Sequence, residues 1–345
     1  MMKAVGPALR EQALTGAFQC LRLGIAALHD ADIGSLDSVV WHAADTSINK
    51  HYADIFGFYR QAMDLMKING LVRPVHPEFF WNRQARAAEE LAFTRPILRI
   101  DPLLELWPRD CPRRDHLAGL VGVEPRDAAS WRAFITALFD EAARQGNVGV
   151  KQLQAYTRTL DFEIVSDDNV GFSGDLNARE QRRFADWVMH ECCRQAHERR
   201  WPHQVHVGTH NLSESSPLPL EALARRYPNM QLVLLHCWPF LDESAFLAKH
   251  LPNVHLDPCW QTVLNPAFLR DSFERWLGYV PASKLMCSQD ATSVEMAAGS
   301  IVLLRRLLAE AVARRREIIG MSEADLREIA ALILYRNATK LYGEA

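Results

Sequence analysis

Residues 203–257, HQVHVGTHNLSESSPLPLEALARRYPNMQLVLLHCWPFLDESAFLAKHLPNVHLD, decide the fold class. Three short apolar runs in this stretch, HQVHVG, QLVLLH and NVHLD, alternate with two amphipathic segments, LPLEALARRYP and DESAFLAKHL. Such alternation is typical of βα units and a parallel sheet, because each strand needs a crossover before the next parallel strand. The stretch therefore predicts an α/β fold.

The same alternation continues on both sides of this stretch. Upstream lie LVRPVHPEFF (71–80), RPILRI (95–100) and NVGVK (147–151), and downstream lies KLMCSQD (284–290). A helix is predicted between the first two strands, in NRQARAAEELAF (82–93). Together with the three runs of residues 203–257, these four runs give seven candidate strands, one fewer than a closed (β/α)8 barrel requires.

The two ends of the chain differ from the middle. Residues 1–69 have helical apolar spacing without a convincing strand, and residues 322–343 predict a covering helix from Ser322 to Gly343. We therefore expect one domain over residues 1–345. It comprises a helical N-terminal segment, 1–69, and a TIM-type barrel core, 70–345, with an incomplete or substituted first strand.

Composition argues against several classes of protein. The net charge of −3, without any block of five like charges, offers no surface for nucleic acid or anionic lipid. Seven cysteines without CxxC spacing do not suggest a disulfide framework. The N-terminus lacks a signal-peptide pattern, and no run approaches the roughly 18 apolar residues of a membrane span. We expect a cytoplasmic protein that acts on a small molecule.

Four residues at predicted strand ends are candidates for a metal site: Lys151, His206, His236 and Asp290. In parallel barrels the active site is built at the carboxyl ends of the strands. Imidazole and carboxylate groups that converge there are typical ligands for zinc, manganese or iron, and such an ion lowers the pKa of bound water towards about 7. Asp290 would then bind the ion, accept the proton of the water, or both.

Lys151 is conspicuous because the chain has only seven lysines against thirty-two arginines. A neutral amine there would react with carbon dioxide to give a metal-bridging carbamate, act as a base, or pair with a substrate carboxylate. Taken singly, each candidate also fits a structural role: an ion pair for the lysine, a hydrogen-bonded core for each histidine, a helix cap for Asp290. Their order on four different strands favours a shared site.

Several segments resemble the amidohydrolase superfamily, namely NVGVKQLQAYTRTLDF, QVHVG, LVLLHCWPF and KLMCSQDAT. The resemblance extends from about residue 95 to residue 343. It is clearest to a branch of TIM-barrel metal-dependent hydrolases that is related to uronate isomerases and to the amidohydrolase-like half of glutamine-synthetase fusion proteins.

The resemblance implies roles for individual residues. His206 and His236 match the fifth- and sixth-strand histidines, Asp290 matches the eighth-strand aspartate, and Lys151 matches a fourth-strand lysine that bridges two metals in some branches. Lys151 and Asp290 would be the catalytic residues. The residues expected to contact substrate are Tyr156, Arg158, His210 and Trp238. The alternative role is loop packing or surface charge for Tyr156 and Arg158, and core packing or a place on the rim for His210 and Trp238.

One departure from the family concerns the first strand. Family members begin with a strand ending in His-x-His, and this chain has no such pair before residue 200. Either that strand is missing from this chain or an N-terminal segment substitutes for it. The candidate substitutes are AALHDAD, with His29, Asp30 and Asp32, and VVWHAAD, with His42 and Asp45.

Without that pair, ligand counting favours one ion rather than two, held by carboxylated Lys151, His206 and His236 beside an open position. The expected function is a metal-dependent hydrolase, with zinc, or else manganese or iron, activating water against a C–N or C–O bond of a small, carboxylate-bearing substrate. The alternatives are a metal-free barrel that serves as a binding or complex-forming subunit, and an isomerase or decarboxylase of the same superfamily. A homo-oligomer is a family-level expectation.

Overall fold

The computed structural model describes residues 2–35, 37–77 and 92–343, which form two compact units. We call residues 70–256 with 338–345 the sheet unit, and residues 1–69 with 257–337 the helical unit. Their shared boundary after Asn69 lies where the sequence changes from helical spacing to βα alternation. The single-domain organisation stays a prediction.

The chain begins with four helices: α1 (Met2–Gln12), α2 (Gly16–His29), α3 (Ser38–Tyr52) and α4 (Ile55–Met66). Strands and helices then alternate through β1 (Leu71–Val75), β2 (Thr94–Arg99), α5 (Pro112–Val121), α6 (Ala128–Arg144), β3 (Val150–Gln152), α7 (Ala178–Arg199), β4 (Pro202–Val207), α8 (Leu220–Arg226), β5 (Gln231–His236), α9 (Leu241–His250) and β6 (Val254–Asp257). The last part is helical: α10 (Gln261–Leu264), α11 (Pro266–Trp276), α12 (Val294–Ile319), α13 (Glu323–Ala331), a π-helical turn (Leu332–Arg336) and α14 (Asn337–Tyr342). The predicted N-terminal helices and the α/β alternation are confirmed.

The six strands that the structure describes form one sheet in chain order, from β1 to β6. The ladders that join β1 to β5 in sequence are all parallel. Five of the six residues of β5 are buried, as a parallel strand covered on both faces requires. The prediction of an α/β fold with a parallel sheet is confirmed.

The register of the sheet brings Lys151 and His206 onto one face. Lys151 is paired with Gln204 in the ladder between β3 and β4, and His206 follows Gln204 by two residues. Paired residues in a parallel ladder point to the same face, and residues two apart along a strand share a face. Two of the predicted site residues therefore emerge on the same side of the sheet.

The two longest helices of the sheet unit begin at side-chain caps and pack through aromatic rings. Asp127 caps α6 and Asn177 caps α7, each in a reciprocal capping box. Between them, the fully buried Trp131 meets Phe184 edge to face, with ring centroids 5.1 Å apart. The cap and the buried ring together explain why these segments form helices against the sheet.

In the helical unit, α2 and α12 cross in close contact because glycines lie at the crossing. A Cβ atom at Gly24 would overlap the backbone carbonyl of Glu295, and one at Gly299 would overlap that of Cys20. Leu28 of α2 and Ile301 of α12 also belong to one buried cluster. Absence of side chains at the crossing lets the two helix backbones touch.

Two predicted elements differ from the structure. KLMCSQD is not a strand: only Leu285 forms an isolated bridge, and the N–H of Ser288 donates to the Asp257 carboxylate (2.9 Å) instead of to a neighbouring strand. The covering helix begins after Ser322 as predicted but contains the π-helical turn. The helix predicted at 82–93 lies almost entirely outside the described residues.

Among the described residues, no helix has both the length and the apolarity that are needed to cross a bilayer.

Candidate functional site

Two histidines lie at the carboxyl ends of neighbouring strands, His206 one residue before the end of β4 and His236 as the last residue of β5, and their rings meet. His206 is 3% exposed and His236 is 2% exposed, and His206 Nδ1 lies 2.9 Å from His236 Nε2. The ring centroids are 4.3 Å apart in an edge-on arrangement. The structure thus brings together two of the four predicted metal ligands.

The chain turns sharply after each of these strands. The Cys237 N–H donates to the Leu235 carbonyl (2.7 Å) around His236, whose φ is 66°, and the His210 N–H donates to the Gly208 carbonyl (2.9 Å) around Thr209, whose φ is 65°. Both are three-residue γ-turns with a positive φ at the central residue, the rare and strained form. Backbone outliers of this kind cluster at active sites and ligand sites, which supports a functional role for this corner of the sheet unit.

The two turns are tied to each other through Trp238. Its carbonyl accepts the Thr209 N–H (2.9 Å), and a Cβ atom at Gly208, whose φ is 71°, would overlap that same carbonyl. Glycine is therefore required at position 208 both for its φ and for the close approach of the loops. Trp238 was predicted as a substrate contact; the structure gives its backbone a part in fixing the turn, and its side chain is half-buried.

A chain of polar contacts leads from the buried histidines to the surface. Thr209 Oγ1 lies 2.9 Å from His206 Nε2 and 3.0 Å from Nδ1 of the exposed His210. The ring of Tyr156 covers both imidazoles, with centroids 4.4 Å from His206 and 4.5 Å from His210. Tyr156 and His210, two predicted substrate contacts, therefore adjoin His206.

Lys151 lies buried in β3, with 6% of its surface exposed. Its neighbour in the ladder on β2 is Arg99, which pairs with Asp101 (Nε to Oδ1 2.6 Å) and donates to Nε2 of His76 (3.3 Å). His76 directly follows β1 and Asp101 lies two residues beyond β2, so both stand at strand ends, as Lys151 does. Neither was among the predicted site residues.

Arg158 is held inside the loop that follows β3. Its guanidinium forms an ion pair with Asp186 (2.7 Å), which is 1% exposed, and donates to the carbonyls of Thr159 (3.1 Å) and Asp161 (2.6 Å). It also lies over the ring of Phe162, 4.7 Å from the centroid. These contacts give Arg158 a structural role, and a substrate contact by this side chain stays a prediction.

Asp290 belongs to the helical unit, where it is exposed and has a φ of 50°. In the same unit Asp257, at the end of β6, accepts the N–H groups of Cys259 (3.1 Å) and Ser288 (2.9 Å). Burial raises the pKa of Asp257 to about 6 despite these two hydrogen bonds. Its position at the end of NVHLD was the signal that could have identified it.

The candidate substitutes for the missing His-x-His strand lie in or beside helices. Within residues 2–35 and 37–69 the structure describes helices and turns but no strand. His29 Nε2 lies 3.2 Å from Glu295 Oε1, Asp30 caps α2, and Asp32 pairs with Arg22. His42 and Asp45 are exposed on α3.

The residues at the ends of β4 and β5 fit a divalent ion that prefers imidazole. Two buried ring nitrogens 2.9 Å apart are close enough to share one ion at the usual Zn–N distance of about 2.0–2.1 Å. Histidine is also a ligand for manganese and iron, so the pair alone does not select the metal.

Comparison with known proteins places the chain in a family. Residues 103–343 match the amidohydrolase family. Protein fluG of Emericella nidulans is 25% identical over 329 residues, which cover 84% of this chain and 36% of fluG. The chain thus spans about a third of the length of that relative.

Solved structures show the same fold. A uronate isomerase from Bacillus halodurans superposes with a TM-score of 0.71 at 16% identity, over 96% of this chain and 78% of its own. A Lactobacillus casei protein, provisionally assigned as a metal-dependent hydrolase, gives a TM-score of 0.71 at 17% identity, over 97% of this chain and 86% of its own. These likenesses confirm the predicted α/β barrel fold class. Because the family match covers well over half of the sequence, this chain belongs to the amidohydrolase family.

Proposed function

We propose that this protein is a metal-dependent hydrolase in which His206 and His236 bind one divalent ion. Zinc is the first choice, and manganese or iron the second. The substrate is a small, carboxylate-bearing molecule with a C–N or C–O bond that water attacks. The observation that carries the proposal is the 2.9 Å separation of two buried imidazole nitrogens at neighbouring strand ends.

Lys151 is the third ligand that we propose within the sheet unit. Lys151 is buried and faces the same side of the sheet as His206, and as a carbamate it would offer an anionic oxygen ligand. Asp290, in the helical unit, stays a predicted ligand or proton acceptor. When bound, the ion supplies Lewis-acid activation of water and of the substrate carbonyl.

The neighbouring side chains suggest how substrate would be held. Tyr156 is 43% exposed and His210 is exposed, and both rings adjoin His206. Their hydroxyl and imidazole groups can form hydrogen bonds to a polar substrate, and Trp238 would supply an apolar wall. Arg158, in the same loop as Tyr156, stays a predicted substrate contact, and its ion pair with Asp186 would hold that loop in place.

A metal-free binding subunit is the second candidate, and one observation favours it. The chain lacks a His-x-His pair before residue 200, and the described residues between 2 and 69 contain no strand on which such a pair would lie. The loss of two ligands weakens the binding of any ion that depends on them.

Metal analysis of the purified protein separates the two candidates. The proposal predicts about one equivalent of zinc, manganese or iron per chain after growth with that metal. Less than about a tenth of an equivalent of any transition metal, unchanged by supplementation, would reject the hydrolase and favour the metal-free subunit.

A further inference from the structure

We propose that Thr209 is a positioning residue that fixes the imidazole of His206 for metal binding; this inference rests on the proposed function. Thr209 would not touch the ion or the substrate. It would act through His206, by holding one ring nitrogen so that the other is presented towards His236.

The hydrogen-bond geometry supplies the first argument. Thr209 Oγ1 lies 2.9 Å from His206 Nε2, while Nδ1 of the same ring lies 2.9 Å from His236 Nε2. A neutral imidazole has one N–H and one lone pair, and the partner of one nitrogen determines the role of the other. A hydroxyl that accepts from Nε2–H leaves the lone pair on Nδ1, the nitrogen that faces the second histidine.

The hydroxyl proton has a partner of its own. Thr209 Oγ1 lies 3.0 Å from His210 Nδ1, a distance at which the hydroxyl can donate to that nitrogen while it accepts from His206. The two hydrogen bonds then run in one direction, from the N–H of His206 to the Thr209 hydroxyl and from that hydroxyl to His210. Metal-binding histidines are commonly oriented in this way by an acceptor on the far ring nitrogen.

The backbone supplies an independent argument. Thr209 is β-branched and yet has a φ of 65°, a conformation that glycine or asparagine adopts far more readily. The turn alone would be formed more easily by either of those residues. The carbonyl of Trp238 holds the strained turn through the Thr209 N–H (2.9 Å), which keeps the hydroxyl against His206. The placement of this hydroxyl accounts for a threonine at this position.

The test compares zinc affinity in variants that separate the hydroxyl from the shape of the side chain. Thr209→Val keeps the β-branch and removes the hydroxyl, whereas Thr209→Ser keeps the hydroxyl. Thr157→Val is the matched control, because Thr157 is exposed in the same unit and its hydroxyl donates to the Gln154 carbonyl (3.4 Å). Competition with a chromophoric chelator at fixed pH measures the Kd for zinc.

We expect Thr209→Val to weaken zinc binding by about 10- to 100-fold, and Thr209→Ser and Thr157→Val to stay within about threefold of the wild type. Equal affinity of Thr209→Val and the wild type would overturn the inference while leaving the proposed function intact. Equal losses in the valine and serine variants would also overturn it, because the hydroxyl would then not be the cause.

A second readout needs no metal. In metal-free protein labelled with 15N-histidine, the wild-type His206 ring should carry its proton on Nε2, and Thr209→Val should lose this single tautomer. A wild-type His206 that carries its proton on Nδ1 would overturn the inference even if zinc binds. A wild type that shows the Nε2 tautomer but binds no zinc would instead overturn the proposed function, and with it the metal-positioning role.

Discussion

The guanidinium of Arg158 lies against the carboxylate of Asp186, with Nη1 and Oδ1 2.7 Å apart, and both side chains are largely withdrawn from water. Burial raises the pKa of Asp186, and the neighbouring Arg158 opposes that rise. The pair therefore fixes the loop after β3, the loop that also carries Tyr156.

We expect Arg158→Met to lower the free energy of unfolding by about 3–5 kcal/mol, because it leaves a buried carboxylate without its partner. The control is Arg182→Met: Arg182 pairs with Asp161, and both side chains are more than 40% exposed. That change should cost less than about 1 kcal/mol. Urea denaturation measures the free energy of unfolding of both variants. Unchanged stability with lost substrate binding in Arg158→Met would make Arg158 a substrate contact instead.

Asp257 should make stability depend on pH. Its folded pKa of about 6 lies above the unfolded value of about 4, so its contribution to stability is fully present below about pH 4 and is lost as the pH rises through 6. Asp257→Asn keeps a neutral oxygen acceptor for the two N–H groups. Relative to the wild type, the variant should therefore gain on the order of 3 kcal/mol between pH 4 and pH 7. Parallel pH profiles of the unfolding free energy would contradict this assignment.

Two glycine substitutions, one where α2 and α12 cross and one in α5, should have opposite effects on stability. Gly299→Ala should destabilise the protein by about 1–3 kcal/mol, because its Cβ would overlap the Cys20 carbonyl. Gly119→Ala, in α5, meets nothing within 4 Å and should stabilise by up to about 1 kcal/mol. Thermal unfolding of the two variants compares them directly. Equal stability would show that the two helices do not touch at Gly299.

The strands and their order could be predicted because buried parallel strands have continuous apolar runs. QLVLLH is one such run, and the structure buries it from Leu232 onward. KLMCSQD has a similar run but is not a strand, since the Asp257 carboxylate and the Trp260 N–H bind its backbone at Ser288 and Gln289. Such long-range competition for backbone groups leaves no local pattern in the sequence.

The site could be predicted in part for the same reason. The strand-end rule found His206 and His236, because the position of a strand's last residue follows from the run before it. It did not find Thr209, whose importance comes from a γ-turn and a positive φ that no spacing predicts. Nor could it find the partner of Arg158, which lies 28 residues away on α7 and meets the loop only in the folded chain.

The most direct test of the metal site is a zinc titration of the wild type beside His206→Ala, His236→Ala and His42→Ala. The wild type and His42→Ala, whose histidine is exposed on α3, should each bind about one zinc per chain with the same Kd. Each strand-end variant should lose more than about 100-fold in affinity, because the affinity of a metal site is built from all its ligands and one imidazole has been removed. Zinc bound equally well by both strand-end variants, or by none of the four proteins, would contradict a metal site formed by His206 and His236.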